Sequence, residues 1–174
     1  MSKSFELLKR RARVGKIPTG WRLASVGSVC AVRNEQRTPI SSNDRAASPG
    51  EYPYYGPTGI LDHISEFRYN GRFALIGEDG DHFIKHEEKD QTLLVDGMFS
   101  VNNHAHVIGS TADCSADWFA WYFRHRSLRD LLTRQGASRY KLTKEALQSL
   151  PILLPPSSEA IAYYRGAAYL GCGN

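Results

Sequence analysis

Residues 66–80 have the sequence EFRYNGRFALIGEDG. Aromatic and aliphatic residues flank the pair Asn70-Gly71, and this pair suits the left-handed conformations that a two-residue hairpin turn requires. The stretch therefore predicts a strand over 66–69, a tight turn, and a second strand over 72–76. The glycine-bounded segment 77–80 predicts another reversal immediately afterwards.

The surrounding region, residues 52–108, is rich in aromatic and β-branched residues, with Gly and Asn at intervals of several positions. This composition is typical of an irregular antiparallel sheet. Asp96-Gly97 predicts a further turn, and residues 101–108 resume a strand pattern. Upstream, residues 21–32 predict one or two strands, and the polar segment 41–50 predicts a loop.

A long helix is predicted over residues 115–135, where apolar residues, many of them aromatic, form one broad face. Ser115 can cap its start through the hydroxyl group, and Gly136 can end it in the left-handed conformation. The aromatic side chains of this helix could stack on bases, but their helical spacing favours packing in the core.

Two shorter helices are predicted at the ends of the chain, a basic one that ends before Gly15 and one over residues 143–149. Residues 151–156 (PILLPP) predict a buried extended segment that a proline pair closes. The predicted fold class is therefore α/β (α+β), with a twisted, mostly antiparallel sheet, one long aromatic-rich helix and a helical exit.

The composition is that of one folded globular domain. The chain has 174 residues and a mass of 19.5 kDa, with 41% hydrophobic and 23% charged residues, which suffices for one substantial core. The net charge of +4 and the sequence pI near 9.0 favour a polyanionic partner such as nucleic acid, because Lys and Arg displace counterions from phosphates.

The cysteines are Cys30, Cys114 and Cys172. They are odd in number and widely spaced, so they predict neither a disulfide framework nor a Cys-x-x-Cys metal site, and a reducing cytoplasm is expected. The start of the chain is charged where a signal peptide needs an apolar run, and no later run has membrane-spanning length. We therefore expect no membrane partner.

Two metal hypotheses follow from the titratable residues. His82 with His86, and His104 with His106, are imidazole pairs, but the sequence places no third ligand beside either pair. The carboxylates of Glu78, Asp79 and Asp81 with Lys85 resemble the residues of a metal-dependent nuclease, although the flanking glycines favour a polar turn. The sequence has no phosphate-binding loop, Gly-x-Gly-x-x-Gly, Asn-Pro-Pro-Tyr or Asp-Pro-Pro-Tyr motif, so no cofactor is expected.

Three segments, in this order, resemble the target recognition domain of type I restriction-modification specificity subunits. Residues 17–27 (IPTGWRLASVG) look like the family's entry phrase. Residues 52–60 (YPYYGPTGI), followed by 74–80 (ALIGEDG), are similar to its glycine-containing loops. Residues 136–143 (GASRYKLT), which continue to Pro156, look like its closing signature. Each phrase alone is weak, and their order carries the resemblance.

The resemblance implies a non-catalytic chain that recognises half of a split site in double-stranded DNA. A methyltransferase subunit that uses S-adenosylmethionine and a restriction subunit that uses ATP would supply the chemistry. Residues 1–16 are then an N-terminal helix, 17–156 the recognition domain, and 157–174 the start of a truncated spacer helix or a tail. A half-length subunit would have to form a homodimer to recognise a two-part site.

Residues expected to contact DNA lie on exposed turns and carry groups that bind base edges or phosphates. They are Tyr54, Tyr55 and Thr58 on the first glycine loop, Lys85 and His86 after the second, Asn102, Asn103 and His104 on a late strand, and Ser138, Arg139, Tyr140 and Lys141 after the long helix. Glu78 and Asp79 could accept hydrogen bonds from cytosine amino groups.

Three alternatives stay open at this stage. The recognition domain could belong to a fused restriction-methylation enzyme, in which a longer chain would reach an Asn-Pro-Pro-Tyr motif. The nuclease hypothesis predicts that the chain alone cuts DNA when a divalent ion is present. A protein-interaction domain predicts binding that is insensitive to Arg139→Ala and Lys141→Ala.

Overall fold

The computed structural model describes residues 3–135 and 139–156. The helices are α1 (Lys3–Ala12), α2 (Val26–Val29), α3 (Ser42–Ala47), α4 (Ala116–Phe123) and α5 (Lys144–Gln148). The strands are β1 (Arg22–Ser25), β2 (Ala31–Val32), β3 (Pro49–Tyr55), β4 (Ile60–Ile64), β5 (Tyr69–Asn70), β6 (Phe73–Gly77), β7 (Asp79–Gly80), β8 (Thr92–Val95), β9 (Met98–Val101), β10 (Ala105–Gly109), β11 (Thr133–Gln135), β12 (Arg139–Lys141) and β13 (Pro151–Leu154). Short 3₁₀ helices lie at Asn34–Gln36 and Arg129–Leu131.

The central sheet has the strand order β2-β10-β6-β8. Its strands pair antiparallel, and β6 and β10 lie in the middle with almost every side chain buried. Helix α4 packs against β6, β8 and β10, so the apolar residues of these strands meet an aromatic helix face. This sheet and helix form the larger part of the hydrophobic core.

The expected hairpin at Asn70-Gly71 is wrong. Strands β5 and β6 do not pair with each other; together they form one bent strand that pairs with β8 and β9 in a continuous antiparallel register. At the bend, Gly71 and Gly97 donate their amides to each other's carbonyl oxygens at 3.0 and 3.1 Å. A two-residue hairpin turn of the expected type needs a positive φ at both central residues, and of this pair only Gly71 has one, at 131°.

A second sheet has the order β4-β3-β9-β5 and a separate aromatic core. Phe99 lies at the centre of this core, stacked against Tyr69 with 5.3 Å between ring centroids and in edge contact with Tyr55 and Phe73. Strand β3 pairs antiparallel with β4 and parallel with β9. The prediction of an aromatic-rich, mostly antiparallel sheet over 52–108 is confirmed.

The aromatic helix is shorter than predicted. It begins as expected, with the Ser115 hydroxyl accepting from the Trp118 amide, but α4 ends at Phe123 instead of continuing to residue 135. A polar run, residues 124–127 (RHRS), follows it, and Leu128 reaches the same core from irregular backbone. Buried Trp118, Phe119 and Phe123 pack in that core, whereas Trp121 is 44% exposed.

The ends of the described chain meet where β1 pairs antiparallel with β13, and α1 packs on both strands. The expected extended segment after residue 150 is therefore confirmed as β13. Helix α5 confirms the prediction over 143–149, with Thr143 as its capping residue. The loop expected over 41–50 is wrong in part, because it contains α3, which the Ser41 hydroxyl caps.

The fold class is mixed α/β, with twisted and mostly antiparallel sheets and few helices, as predicted. The expected spacer helix at 157–174 lies outside the described residues. Among the helices of the described ranges, none combines the length and apolar character that crossing a bilayer requires.

Candidate nucleic-acid interface

Distant parts of the chain meet at the short strand β7. Strand β12 pairs antiparallel with it, placing Lys141 opposite Asp79. The Leu142 amide, directly after β12, donates to the Glu78 carbonyl at 2.7 Å, and the Glu78 amide donates to the His104 carbonyl at 2.7 Å. We call the surface residues gathered here the polar platform; they are Glu78, Asp79, Asn103, His104 and Lys141.

Glu78 holds the platform in place from its buried side. Its side chain is 17% exposed and lies between two cations, with its carboxylate 3.0 Å from Arg37 Nη1 and 3.4 Å from Lys141 Nζ. The same Arg37 nitrogen donates to the carbonyls of Asn103 and Ala105, each at 3.1 Å. The Glu78 carboxylate thus connects the segment of Arg37 with the segment of Lys141. Its role is to hold the platform together, since little of it faces solvent.

His106 forms the hydrogen bonds that connect the buried residues beneath the platform. Its Nε2–H donates to the Leu142 carbonyl at 2.6 Å, so its Nδ1 is the acceptor for the Asn34 side-chain amide at 2.8 Å. Asn34 Oδ1 in turn accepts from the Val107 amide at 3.0 Å. Burial lowers the pKa of His106 below its ordinary value, which agrees with a neutral imidazole in this one tautomer.

Asp79 and His104 form the accessible part of the platform. His104 Nδ1 lies 2.9 Å from Asp79 Oδ2, and the two side chains are 52% and 41% exposed. Both backbones are held by the hydrogen bonds described above, and the His104 amide also donates to Asn102 Oδ1 at 2.8 Å. The pair therefore presents polar atoms to solvent from a fixed backbone.

The turn between β6 and β7 is packed tightly around a buried imidazole. His82 is 2% exposed, and a Cβ added at Gly77 or Gly80 would lie 2.5 or 2.8 Å from its ring. Gly80 also has a φ of 135°, which disfavours other residues. The Pro57 carbonyl would lie 3.0 Å from a Gly77 Cβ, so the loop that carries exposed Thr58 lies beside this turn.

Three residues expected to contact DNA from exposed turns are instead buried, so the expected exposure is wrong for them. Tyr54 is 1% exposed; its hydroxyl donates to the Thr38 carbonyl at 2.8 Å and accepts from the Ile40 amide at 3.0 Å. Asn102, 7% exposed, holds the turn before His104. Tyr140, 8% exposed, accepts from Arg129 Nε at 3.1 Å. In each case the polar group of the side chain forms its hydrogen bond within the protein.

The other expected contacts are divided between the platform and its surroundings. Asn103, His104 and Lys141 lie on the platform. Tyr55 is half-buried against Phe99. Exposed Lys85 pairs with Asp81 at 2.6 Å, and the His86 carbonyl accepts from His125 at 2.9 Å. Ser138 and the side chain of Arg139 lie outside the described residues, which include only the backbone of Arg139.

Each carboxylate proposed for a nuclease is paired with a basic side chain. Glu78 is held by Arg37 and Lys141, Asp79 pairs with His104, and Asp81 pairs with Lys85. Within residues 3–135 and 139–156, no group of three or more His, Cys, Asp or Glu side chains is placed to hold a metal ion.

Sequence reasoning missed Arg37 and Asn34, which organise the platform. Arg37 lies 41 positions before Glu78, and Asn34 lies 72 positions before His106. Such contacts leave no local spacing pattern, so only the assembled fold brings these residues together.

Known structures share this arrangement of sheets and helices. A chain from a study of complex assembly and conformational transition of the type I R-M system superimposes with a TM-score of 0.63 at 18% identity, covering 96% of this chain and 44% of that one. The type I restriction-modification S subunit from M. genitalium gives 0.65 at 12% identity, covering 88% and 39%. The HsdS subunit from Thermoanaerobacter tengcongensis gives 0.55 at 19% identity, covering 97% and 42%.

The sequence relatives are of the same class. Residues 18–162 match the family described as the type I restriction modification DNA specificity domain. A Haemophilus influenzae protein named as a type I restriction enzyme specificity subunit is 32% identical over 130 residues, which are 75% of this chain and 32% of that protein. The chain thus spans about a third of this relative's length, and it belongs to the type I restriction modification DNA specificity domain family.

Proposed function

We propose that this chain recognises one half of a split site in double-stranded DNA, as the specificity component of a type I restriction-modification system. The platform is the observation that carries the proposal. It presents a carboxylate, an amide, an imidazole and an ammonium group beside the Thr58 loop. Hydrogen-bonding groups held on a fixed backbone are what recognition of base edges requires.

The charge of the chain supports the same proposal. A net charge of +4 provides cations for phosphate contacts, which give affinity but no sequence information. The amide and imidazole of Asn103 and His104 would add the sequence-specific contacts. Affinity should therefore fall as salt increases, while the preferred sequence should stay the same.

The assembly is also part of the proposal. Residues 17–156 would be the recognition domain, without catalytic activity of its own, and would direct a methyltransferase subunit and a restriction subunit to the site. All would act in the cytoplasm, where the DNA lies. A second copy, as a homodimer, or a second recognition domain would supply the other half-site, and joining the two would raise the affinity through effective concentration.

The test is selection of bound duplexes from a randomised library at two salt concentrations. We expect an enriched motif of about three to five base pairs, the size that one recognition module contacts. Asn103→Ala should reduce binding to that motif by roughly ten-fold or more, since a good base contact contributes about 1–3 kcal/mol. The matched control is Asn43→Ala, which alters an exposed asparagine on α3 and should leave the motif unchanged.

Three outcomes would contradict the proposal or the surface assigned to it. Retained DNA without any enriched motif would mean that the chain binds only phosphates, and no retained DNA would exclude recognition by this chain. Equal effects of Asn103→Ala and Asn43→Ala would place the interface elsewhere on the surface.

A further inference from the structure

We propose that Asp79 and His104 act as one specificity element that recognises an exocyclic amino group in the DNA major groove. This inference rests on the proposed function and names the chemistry that its central contact would recognise. The two residues are 25 positions apart in sequence, yet their side chains lie 2.9 Å apart on the exposed side of the platform. The pair thus exists only in the folded chain.

The hydrogen bond within the pair determines what it can offer to a ligand. A carboxylate has no proton to give, so His104 Nδ1–H is the donor to Asp79 Oδ2. The second carboxylate oxygen of Asp79 remains able to accept, and the hydrogen bond from His104 holds the carboxylate in position. The pair therefore presents a carboxylate acceptor, held in position by His104, on the exposed side of the platform.

A carboxylate acceptor selects one kind of group in the major groove. Cytosine N4 and adenine N6 are amino donors there, whereas guanine O6 and N7 and thymine O4 are acceptors. A carboxylate beside a keto oxygen would be repelled by it and left without a partner. The pair should thus admit adenine or cytosine at one position of one strand and exclude guanine and thymine.

The difference in exposure between Glu78 and Asp79 determines which of the two carboxylates can contact a ligand. The Glu78 side chain is 17% exposed and lies between Arg37 and Lys141, whereas the Asp79 side chain is 41% exposed. The hydrogen bond between Asp79 and His104 restrains both side chains, which limits the entropy lost on binding. Glu78 holds the platform, and Asp79 is available for the ligand.

The test compares selected motifs for the wild-type chain, Asp79→Asn and His104→Ala, with Asp113→Asn as the control. Asp113 is an exposed carboxylate that pairs with Arg22 on another part of the surface. We expect one motif position restricted to adenine or cytosine in the wild type and in Asp113→Asn. In Asp79→Asn, whose amide can also donate, guanine or thymine should rise about ten-fold or more at that position only, the size of one base contact.

Base analogues identify which amino group is bound. At the restricted position, adenine is replaced by purine, or cytosine by 2-pyrimidinone, each of which lacks only the amino group. Wild-type affinity should fall about ten-fold or more for the base that is recognised, and His104→Ala should lose most of this sensitivity. Circular dichroism and unfolding curves of each variant establish that the fold is retained.

The outcomes separate this inference from the proposed function. A wild-type motif that is unaffected by Asp79→Asn, or that has guanine or thymine at the affected position, overturns the inference and leaves DNA recognition standing. Equal affinity for duplexes with and without the amino group also overturns it. The absence of any motif overturns both.

Discussion

The central sheet and the polar platform are both built on β-strands, but different interactions hold them. In the sheet, β6 and β10 pair over five residues each, and their buried side chains pack on α4. In the platform, β7 and β12 share two paired positions, and single polar residues such as Arg37 and His106 connect the segments. One region is held by many equivalent apolar contacts, and the other by a few polar contacts that are not interchangeable.

This difference divides the residues into two groups, the apolar ones that provide stability and the polar ones that we propose for recognition. Apolar packing tolerates exchange between residues of similar volume, provided that the pattern is kept. The polar platform needs a particular donor or acceptor at each position, because a buried polar group that loses its partner is destabilising. Under the proposed function, a change of DNA target would keep the sheet and alter the exposed platform residues, while Arg37, Glu78 and His106 stay in place.

The largest effect is expected from opening the apolar core. Phe119 is fully buried on α4, and Phe119→Ala should lower the free energy of unfolding by about 3–5 kcal/mol through lost burial and a cavity. The measurement is urea unfolding followed by tryptophan fluorescence. Leu94→Ala is the control, because Leu94 lies on β8 of the same sheet but is 40% exposed; it should lower the free energy by about 1 kcal/mol or less. Similar losses for the two variants would contradict the role of α4.

A smaller loss is expected from overfilling the turn beneath the platform. Gly77→Ala places a methyl group 2.5 Å from the His82 ring, which must move, and should lower the free energy of unfolding by about 1–3 kcal/mol. Gly15→Ala is the control, since no atom lies within 4 Å of its added Cβ. If the clash is the cause, Gly77→Ala combined with His82→Ala should lower stability by less than the two single losses together. Additive losses would exclude it.

The apolar sheet and α4 could be predicted from the sequence, except for the lengths of the elements and the pairing of the strands. The aromatic and aliphatic residues over 72–76 and the strand pattern over 101–108 located β6 and β10, and Ser115 located the start of α4. The prediction extended α4 to residue 135 because Leu128 and its apolar neighbours continue the hydrophobic pattern. A buried apolar residue satisfies that pattern equally well from irregular backbone, and Thr133–Gln135 instead pairs with β12.

The hairpin at Asn70-Gly71 failed for a related reason. A glycine in a strand pattern marks either a turn or a bend, and the local sequence does not say which strand is the partner. Here β6 pairs with β8 and β10, so the chain bends at Gly71 instead of reversing. The choice depends on partners more than fifteen residues away.

The platform could be predicted only in part. Asn103, His104 and Lys141 were expected from their residue types, because these are polar groups near turns. Their assembly depends on Arg37 and Asn34, whose partners lie far along the chain. No local sequence pattern predicts the pairing of Asp79 with His104. It arises from the register of β7 against β12 and from the hydrogen bond between the Glu78 amide and the His104 carbonyl.

Acid should destabilise the folded chain through two buried imidazoles, His82 beside Gly77 and His106 on β10. Burial lowers the pKa of His82 and of His106 below the ordinary value of 6.5, so the unfolded chain binds protons that the folded chain does not. Stability is then fully present above about pH 6.5 and decreases below it, by at most about 1.4 kcal/mol per pH unit for each imidazole.

Urea unfolding between pH 7.5 and pH 5.0 measures this slope. The variants His82→Gln and His106→Gln should each have a shallower slope than the wild type, whatever their stability at pH 7.5. A wild-type free energy of unfolding that stays constant over this range would show that neither imidazole is kept neutral by the fold.

The smallest effect concerns two adjacent tyrosines whose environments differ. Tyr54→Phe removes a hydroxyl that bonds to Thr38 and Ile40, and should lower the free energy of unfolding by about 1–2 kcal/mol. For the Tyr55 hydroxyl, the described part of the chain includes no such bond, so Tyr55→Phe should change stability by less than about 0.5 kcal/mol. Because the Tyr54 ring is buried, Tyr54→Phe should leave the selected DNA motif unchanged. A changed motif with unchanged stability would mean that Tyr54 contacts DNA directly, and the division between a buried scaffold and an exposed platform would then fail at this loop.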